Sequence, residues 1–241
     1  MCDHCGCGLS HDFAPSRRGL LLAASALLVG SLAQAKETRK PPKPQNVLSP
    51  GAALERLEEG NERYVEGVTR RHDFRHEREA LASGQNPYAA ILSCADSRIA
   101  PEYAFDSGRG DLFVCRVAGN FANEESVASL EYAVSVLGTP LILVLGHDAC
   151  GAVDATIKSL KDNTTLPGHL PSLVAGLAPA VKTASSQAGD TLANAIKQNV
   201  IDTVGKLKSA TPILSAAVEQ NKLKVTGGIY RLRNGRVDMV A

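Results

Sequence analysis

Cys94, His147 and Cys150 are the residues of this chain whose types and spacing point most directly to chemistry. Cys94 lies in Ser93-Cys94-Ala95-Asp96-Ser97-Arg98, and the other two lie in His147-Asp148-Ala149-Cys150-Gly151. Each segment follows an apolar run that reads as a buried strand. Two thiolates and one imidazole form a donor set that Zn2+ prefers, and three protein ligands leave a fourth position free for a reactant. Three donors instead of four predict one catalytic zinc per chain and argue against a structural zinc. Taken alone, His147 would read as a strand-end histidine satisfied by a backbone carbonyl. The His-x-x-Cys spacing, with Cys94 at a matching strand end, reverses that reading. A helix starting after Cys150 also favours a thiolate there through its dipole.

Asp96 and Arg98 follow Cys94 closely. A guanidinium grips a carboxylate through two parallel hydrogen bonds, which lysine cannot copy. The pair is expected to keep Asp96 ionised, with a free lone pair able to accept a proton. The plainer reading is a surface ion pair worth at most ~1 kcal/mol, and the closeness of a ligand cysteine argues against it. Zinc lowers the pKa of bound water from ~16 toward ~7. Two thiolates donate more charge than imidazoles would and leave that water less acidic, which gives an accepting Asp96 a purpose. The hydroxide so formed suits attack on a small electrophilic carbon.

The elements that must position these residues can be read from apolar runs and breakers. Residues 89–93, between Pro87 and the Cys94 turn, read as a strand buried on both faces. Residues 112–117 read as a second such strand, ended by Gly119-Asn120. A helix over 124–137 carries Val127, Leu130, Val134 and Leu137 on one stripe and closes at Gly138. Pro140 opens a third strand over 141–145, ended by Gly146. Helices are expected over 151–160, 170–187, 192–208 and 212–221, and a last strand over 223–232 with a tight turn at Asn234-Gly235. Before the core, residues 50–66 form an amphipathic helix through Ala53, Leu54, Leu57 and Tyr64. Ser49 caps it and Pro50 takes its first position. Residues 70–79 lead into a second helical piece. Strands alternating with helices predict an α/β fold: a mostly parallel central sheet flanked by helices, with an N-terminal helical arm. In such sheets ligands bind outside the carboxyl ends of the strands. Cys94 just past the first strand and His147 just past the third therefore come to one edge.

Length and charge bound the rest. The 241 residues suit one domain with extensions, and 44% hydrophobic content is ordinary for a globular chain. Net charge is +1 and the two signs are mixed throughout, so no nucleic-acid partner is expected. Residues 1–35 have the parts of an export signal: Ser16-Arg17-Arg18, an apolar run over 19–32, and Ala33-Gln34-Ala35 at the cleavage positions. The paired arginines make it of the twin-arginine type, which implies that export machinery as a partner and a periplasmic location. The apolar run falls short of the ~20 residues of a membrane span. That route carries folded proteins, so zinc can be loaded while the thiols are reduced. Residues 36–49 read as a flexible tether rich in Pro and Lys, and 50–241 as the catalytic domain. Of the six cysteines, Cys2, Cys5 and Cys7 fall, with His4, in the leader; they could bind a metal but are left out of the site. Cys115 reads as a small buried thiol that packs like an apolar residue.

Cys94-Ala95-Asp96-Ser97-Arg98 together with His147-Asp148-Ala149-Cys150-Gly151 resembles the β-class carbonic anhydrases of the plant-like type. The resemblance runs from Leu54-Glu55-Arg56-Leu57-Glu58-Glu59-Gly60-Asn61 to Gly227-Gly228-Ile229-Tyr230. It also takes in Asp111-Leu112-Phe113-Val114-Cys115-Arg116-Val117-Ala118-Gly119-Asn120 and Ser129-Leu130-Glu131-Tyr132-Ala133-Val134. The family implies reversible hydration of carbon dioxide to bicarbonate and a proton, zinc on Cys94, His147 and Cys150, and the Asp96–Arg98 dyad beside it. It further implies a substrate pocket with Gln85, Phe113 and Tyr132, formed between subunits of a homodimer or larger assembly. Ala118 stands where that type often has valine, which implies a slightly roomier pocket. Some bacterial members hold a regulatory bicarbonate with a tryptophan three residues before the ligand cysteine, and let the aspartate take the fourth zinc position. Here Ile91 stands there and the chain has no tryptophan, so the open arrangement, with Asp96 on Arg98, is expected.

Two other functions share these residues. Relatives of the family hydrolyse carbonyl sulfide or carbon disulfide with the same ligands. A non-catalytic zinc or redox module would close the site with a fourth ligand or pair Cys94 with Cys150 in a disulfide, and would leave the dyad without a purpose.

Overall fold

The computed structural model describes residues 46–241. Residues 1–35, read above as an export signal with its cysteines, and most of the expected tether lie outside the described residues. The end of the tether that is described is docked. Asn46 is buried, donates from Nδ2 to Oδ1 of Asp111 at 3.0 Å and accepts from Nη1 of Arg56 at 2.8 Å.

Helix α1 (Pro50–Val65) starts where the Ser49 hydroxyl accepts from the Ala52 N–H at 3.2 Å, with Pro50 in its first turn. Its Ala53 and Leu57 are buried. Gly60 lies so close to the Phe105 carbonyl that any Cβ would collide with it, so glycine sets how near this arm packs. The second helical piece is α2 (Phe74–Leu81), capped by Asp73. Strand β1 (Ala89–Ser93) leads through a short helix α3 (Pro101–Ala104) to β2 (Leu112–Arg116). Helix α4 (Glu124–Ser135) then leads to β3 (Leu141–His147). Helices α5 (Gly151–Lys161), α6 (Leu170–Ala184), α7 (Thr191–Lys208) and α8 (Ile213–Glu219) follow. Strands β4 (Lys224–Tyr230) and β5 (Val237–Met239) end the chain. Among the described residues no helix is long and apolar enough to cross a membrane.

The sheet has the order β2-β1-β3-β4-β5, with the first four strands parallel and β5 antiparallel. Side chains alternate between its faces. Ala90, Leu92, Ile142 and Val144 join one apolar cluster with Val181 of α6 and Val200 of α7. Ala89, Ile91, Leu141, Leu143 and Leu145 join another with Ala53 and Leu57 of α1. Both faces of β1 and β3 are thereby covered, which accounts for their unbroken apolar runs.

Three expectations about strands are corrected. The run 112–117 reads as buried on both faces, but β2 is the sheet's edge and is only half-buried, because among the described residues no strand lies beyond it. The third strand does not stop at Gly146. It continues in register with β4 through Gly146↔Ile229 and His147↔Tyr230, so His147 is its last residue. The last parallel strand is shorter than 223–232, because the chain turns at Arg231 to Gly235 and returns as β5, whose three residues are too few to show a period.

β1 lies between β2 and β3, so the chain leaves it to one side and returns on the other. The crevice at such a switch point opens at the carboxyl ends of β1 and β3.

Candidate metal centre

Cys94 is the first residue after β1, His147 the last of β3, and Cys150 the cap of α5. Between the latter two, Ala149 adopts a left-handed φ of 51°, which folds the segment back and turns Cys150 toward His147. The three donor atoms lie within 4.8 Å of one another, and the two sulfurs are 4.0 Å apart. All three residues are buried, His147 completely.

Nδ1 of His147 sits 2.8 Å from the Asp148 carbonyl and donates to it. In the neutral ring, the form that binds a metal, this puts the lone pair on Nε2, on the side of the sulfurs. Nε2 is buried and has no hydrogen-bond partner. A buried acceptor left unmade is costly, so its environment calls for a cation. The thiols say the same. Cys94 is pulled toward thiolate by the hydrogen bond from Cys150 and the Gly119 N–H, whose nitrogen lies 3.3 Å from its sulfur. The same bond, together with burial, pushes the Cys150 thiol up. Two thiols this close share one proton, and a dication between them would let both ionise. Two sulfurs and one orphaned ring nitrogen, converging from two strand ends, fit Zn2+ with three protein ligands.

Beside this group, Arg98 grips Asp96 from Nε to Oδ1 at 2.9 Å and from Nη2 to Oδ2 at 2.7 Å, and its backbone N–H adds a third bond to Oδ1 at 2.9 Å. Arg98 therefore holds the Asp96 carboxyl far below the usual carboxylate range. Oδ2 of Asp96 faces Nε2 of His147 at 3.8 Å. Arg98 also reaches the Ala149 carbonyl at 3.4 Å, which links the Cys94 loop to the Cys150 loop.

Gln85, Phe113 and Tyr132 lie elsewhere. Gln85 is exposed ahead of β1. Phe113 pairs in register with Ala90 at the start of β1, and its ring centroid is 6.3 Å from that of Tyr132 on α4. About 13 Å of strand rise separates Ala90 from Cys94. Within one chain these three residues are at the wrong end of β1 to meet the metal group. Ala118 precedes Gly119, whose N–H reaches Cys94, and Ile91 is buried on the α1 face of the sheet.

The sequence pattern passes over other residues here. Asp148 accepts the Leu232 N–H at 3.0 Å and anchors the turn after β4 to the His147 segment. Arg116 donates to three carbonyls of the Cys94 loop. Both act on backbone groups, which leave no side-chain spacing to read.

The carbonic anhydrase family model matches residues 89–237. Carbonic anhydrase 2 of Mycobacterium tuberculosis is 39% identical over 189 residues, covering 78% of this chain and 91% of that protein. A carbonic anhydrase of Mycolicibacterium smegmatis is 35% identical over 192 residues, covering 79% and 93%. Among solved structures, the β-carbonic anhydrase CcaA aligns with a TM-score of 0.59 at 30% identity, over 78% of this chain and 98% of that one. Two tetrameric β-carbonic anhydrases from Sordaria macrospora share the fold, with a TM-score of 0.61 at 22% identity over 79% and 95%. The α/β sheet, with its metal-ligand group at the switch point, is that of this class, and the chain belongs to the β-carbonic anhydrase family.

Proposed function

We propose that this protein catalyses the reversible hydration of carbon dioxide to bicarbonate and a proton, with one Zn2+ per chain held by Cys94, His147 and Cys150. The observation that carries this is the convergence of three buried donors beside an ionised Asp96 whose Oδ2, held by Arg98, faces them. When bound, zinc supplies the Lewis acidity that makes water a nucleophile near neutral pH. The chain's own residues do the rest. His147 is locked in its ligand tautomer by the Asp148 carbonyl. Arg98 keeps Asp96 ionised and fixes its orientation. Oδ2 of the ionised Asp96 accepts the hydrogen bond that orients the attacking water.

The pocket for carbon dioxide and bicarbonate is completed in a homodimer or larger assembly, where Gln85, Phe113 and Tyr132 of a second copy meet this chain's metal group. Their separation from Cys94 within one chain and the open edge at β2 support this reading. Export by the twin-arginine machinery, loss of residues 1–35 and a periplasmic location rest on Arg17-Arg18, the apolar run and Ala33-Gln34-Ala35. Hydrolysis of carbonyl sulfide or carbon disulfide and a non-catalytic zinc or redox role are not favoured, since the matched relatives are named carbonic anhydrases. Turnover of carbon dioxide and of carbonyl sulfide compared on purified residues 36–241 tests the reading. Faster carbon dioxide hydration is expected, and a preference for carbonyl sulfide would contradict it.

A further inference from the structure

Arg116 ends β2 opposite Ser93 and touches none of the three donor atoms. Its guanidinium nevertheless lies inside the turn that carries the site. Nε donates to the Cys94 carbonyl at 2.9 Å, and Nη2 donates to the Asp96 carbonyl at 2.7 Å and the Ile99 carbonyl at 2.9 Å. The loop over residues 94–99 is thus wrapped around one cation. Its other hydrogen bonds are longer or internal, while Ile99 and the Cys94 side chain bury its two ends in the core and the Gly119 N–H holds the Cys94 sulfur at 3.3 Å. The Ala95 N–H reaches the Val117 carbonyl at 3.3 Å, the Ile99 N–H returns to Asp96 at 3.2 Å, and the link from Arg98 to Ala149 is 3.4 Å long. The Asp96–Arg98 pair lies wholly within the loop, so it fixes the two side chains to each other and not to the sheet. Ala95, Ser97 and Arg98 are exposed and add no packing.

We propose that Arg116 is a positioning residue that seats the Cys94–Asp96 loop on the sheet, setting both the approach of the Cys94 sulfur to the metal and the distance of the Asp96 carboxylate from it. This rests on the function proposed above, but its consequence for metal retention does not depend on turnover. Bonds to charged donors are short and strong. These leave from two nitrogens of one rigid plane, a geometry that a lysine ammonium cannot reproduce.

The test is Arg116→Lys, with Arg116→Gln as a second variant, both purified with zinc. Each is expected to keep the wild-type far-UV spectrum and one zinc per chain. Each should lose that zinc to a chelator at least fivefold faster than wild type. In stopped-flow assays kcat should fall about tenfold, with KM within twofold and a displaced pH–kcat profile. A role in stability alone would lower the melting temperature and leave zinc release and the pH profile of the folded enzyme unchanged. Wild-type zinc release from folded Arg116→Lys would overturn the proposal whatever the activity. Absence of carbon dioxide hydration in the wild type would instead overturn the functional reading.

Discussion

Oδ2 of Asp96 faces Nε2 of His147 at 3.8 Å while the same oxygen is held by Nη2 of Arg98 at 2.7 Å. The carboxylate is therefore turned toward the metal-ligand group but retained by the guanidinium. Asparagine at this position keeps the shape and turns an amide NH2 or a single carbonyl oxygen toward Arg98. Asp96→Asn should retain zinc and lose about 10²-fold in kcat, the usual cost of a misplaced reactant. Stopped-flow hydration with metal analysis measures both, and a kcat near wild type would remove Asp96 from the mechanism.

The pH dependence of that pair has a definite sign. Arg98 depresses the folded pKa of Asp96. The stabilisation from the pair is then complete above the unfolded carboxylate value of ~3.9 and is lost as pH falls through the lower folded value. Asp96 stays charged throughout the neutral range. The stability gap between wild type and Arg98→Met should be constant from about pH 8 to 5 and shrink only below about pH 4. Denaturant unfolding across that range checks it, and a gap that changes between pH 6 and 8 would contradict it.

Metal removal should destabilise the fold, because it leaves two buried sulfurs sharing a proton and one buried ring nitrogen without a partner. A metal at a thousand times its Kd stabilises by about 4 kcal/mol. In a domain of this size that amounts to roughly 8–16 °C in melting temperature. Dialysis against a chelator should lower the wild-type melting point by this much and leave Cys94→Ser almost unmoved. Equal melting points with and without chelator would show that these residues hold no ion.

Packing next to the site depends on a glycine. A Cβ at position 146, one residue before His147, would lie 2.7 Å from Cγ2 of Val200 on α7. Gly146→Ala should therefore cost about 1–3 kcal/mol through overpacking. Adding Val200→Ala should cost less in that background than in wild type, because the sites couple through one contact. Thermal melts of the four proteins decide it, and strict additivity would exclude the clash.

Much of the architecture was legible because buried parallel strands write continuous apolar runs. Residues 89–93 and the Ser49–Pro50 start of the first helix match the structure to the residue. The grouping of Cys94, His147 and Cys150 was legible because the His-x-x-Cys spacing falls at a strand end and a helix start. What failed depends on neighbours that sequence does not name. Gly146 looks like a strand stop, but β4 continues alongside and keeps it in the ladder. The apolar pattern of β2 implies two covered faces, and this chain covers it only partly. Gln85, Phe113 and Tyr132 carry no spacing that places them relative to Cys94, and the fold sets Phe113 and Tyr132 together toward the start of β1. Arg116 works through carbonyls, and carbonyls belong to every residue alike.

Stopped-flow carbon dioxide hydration by zinc-loaded residues 36–241, run beside Cys94→Ser, tests the central claim most directly. One zinc per chain and fast hydration in the first, with loss of both in the second, is the predicted result. Wild-type protein that carries zinc but does not hydrate carbon dioxide, or a Cys94→Ser variant as active as wild type, would contradict it.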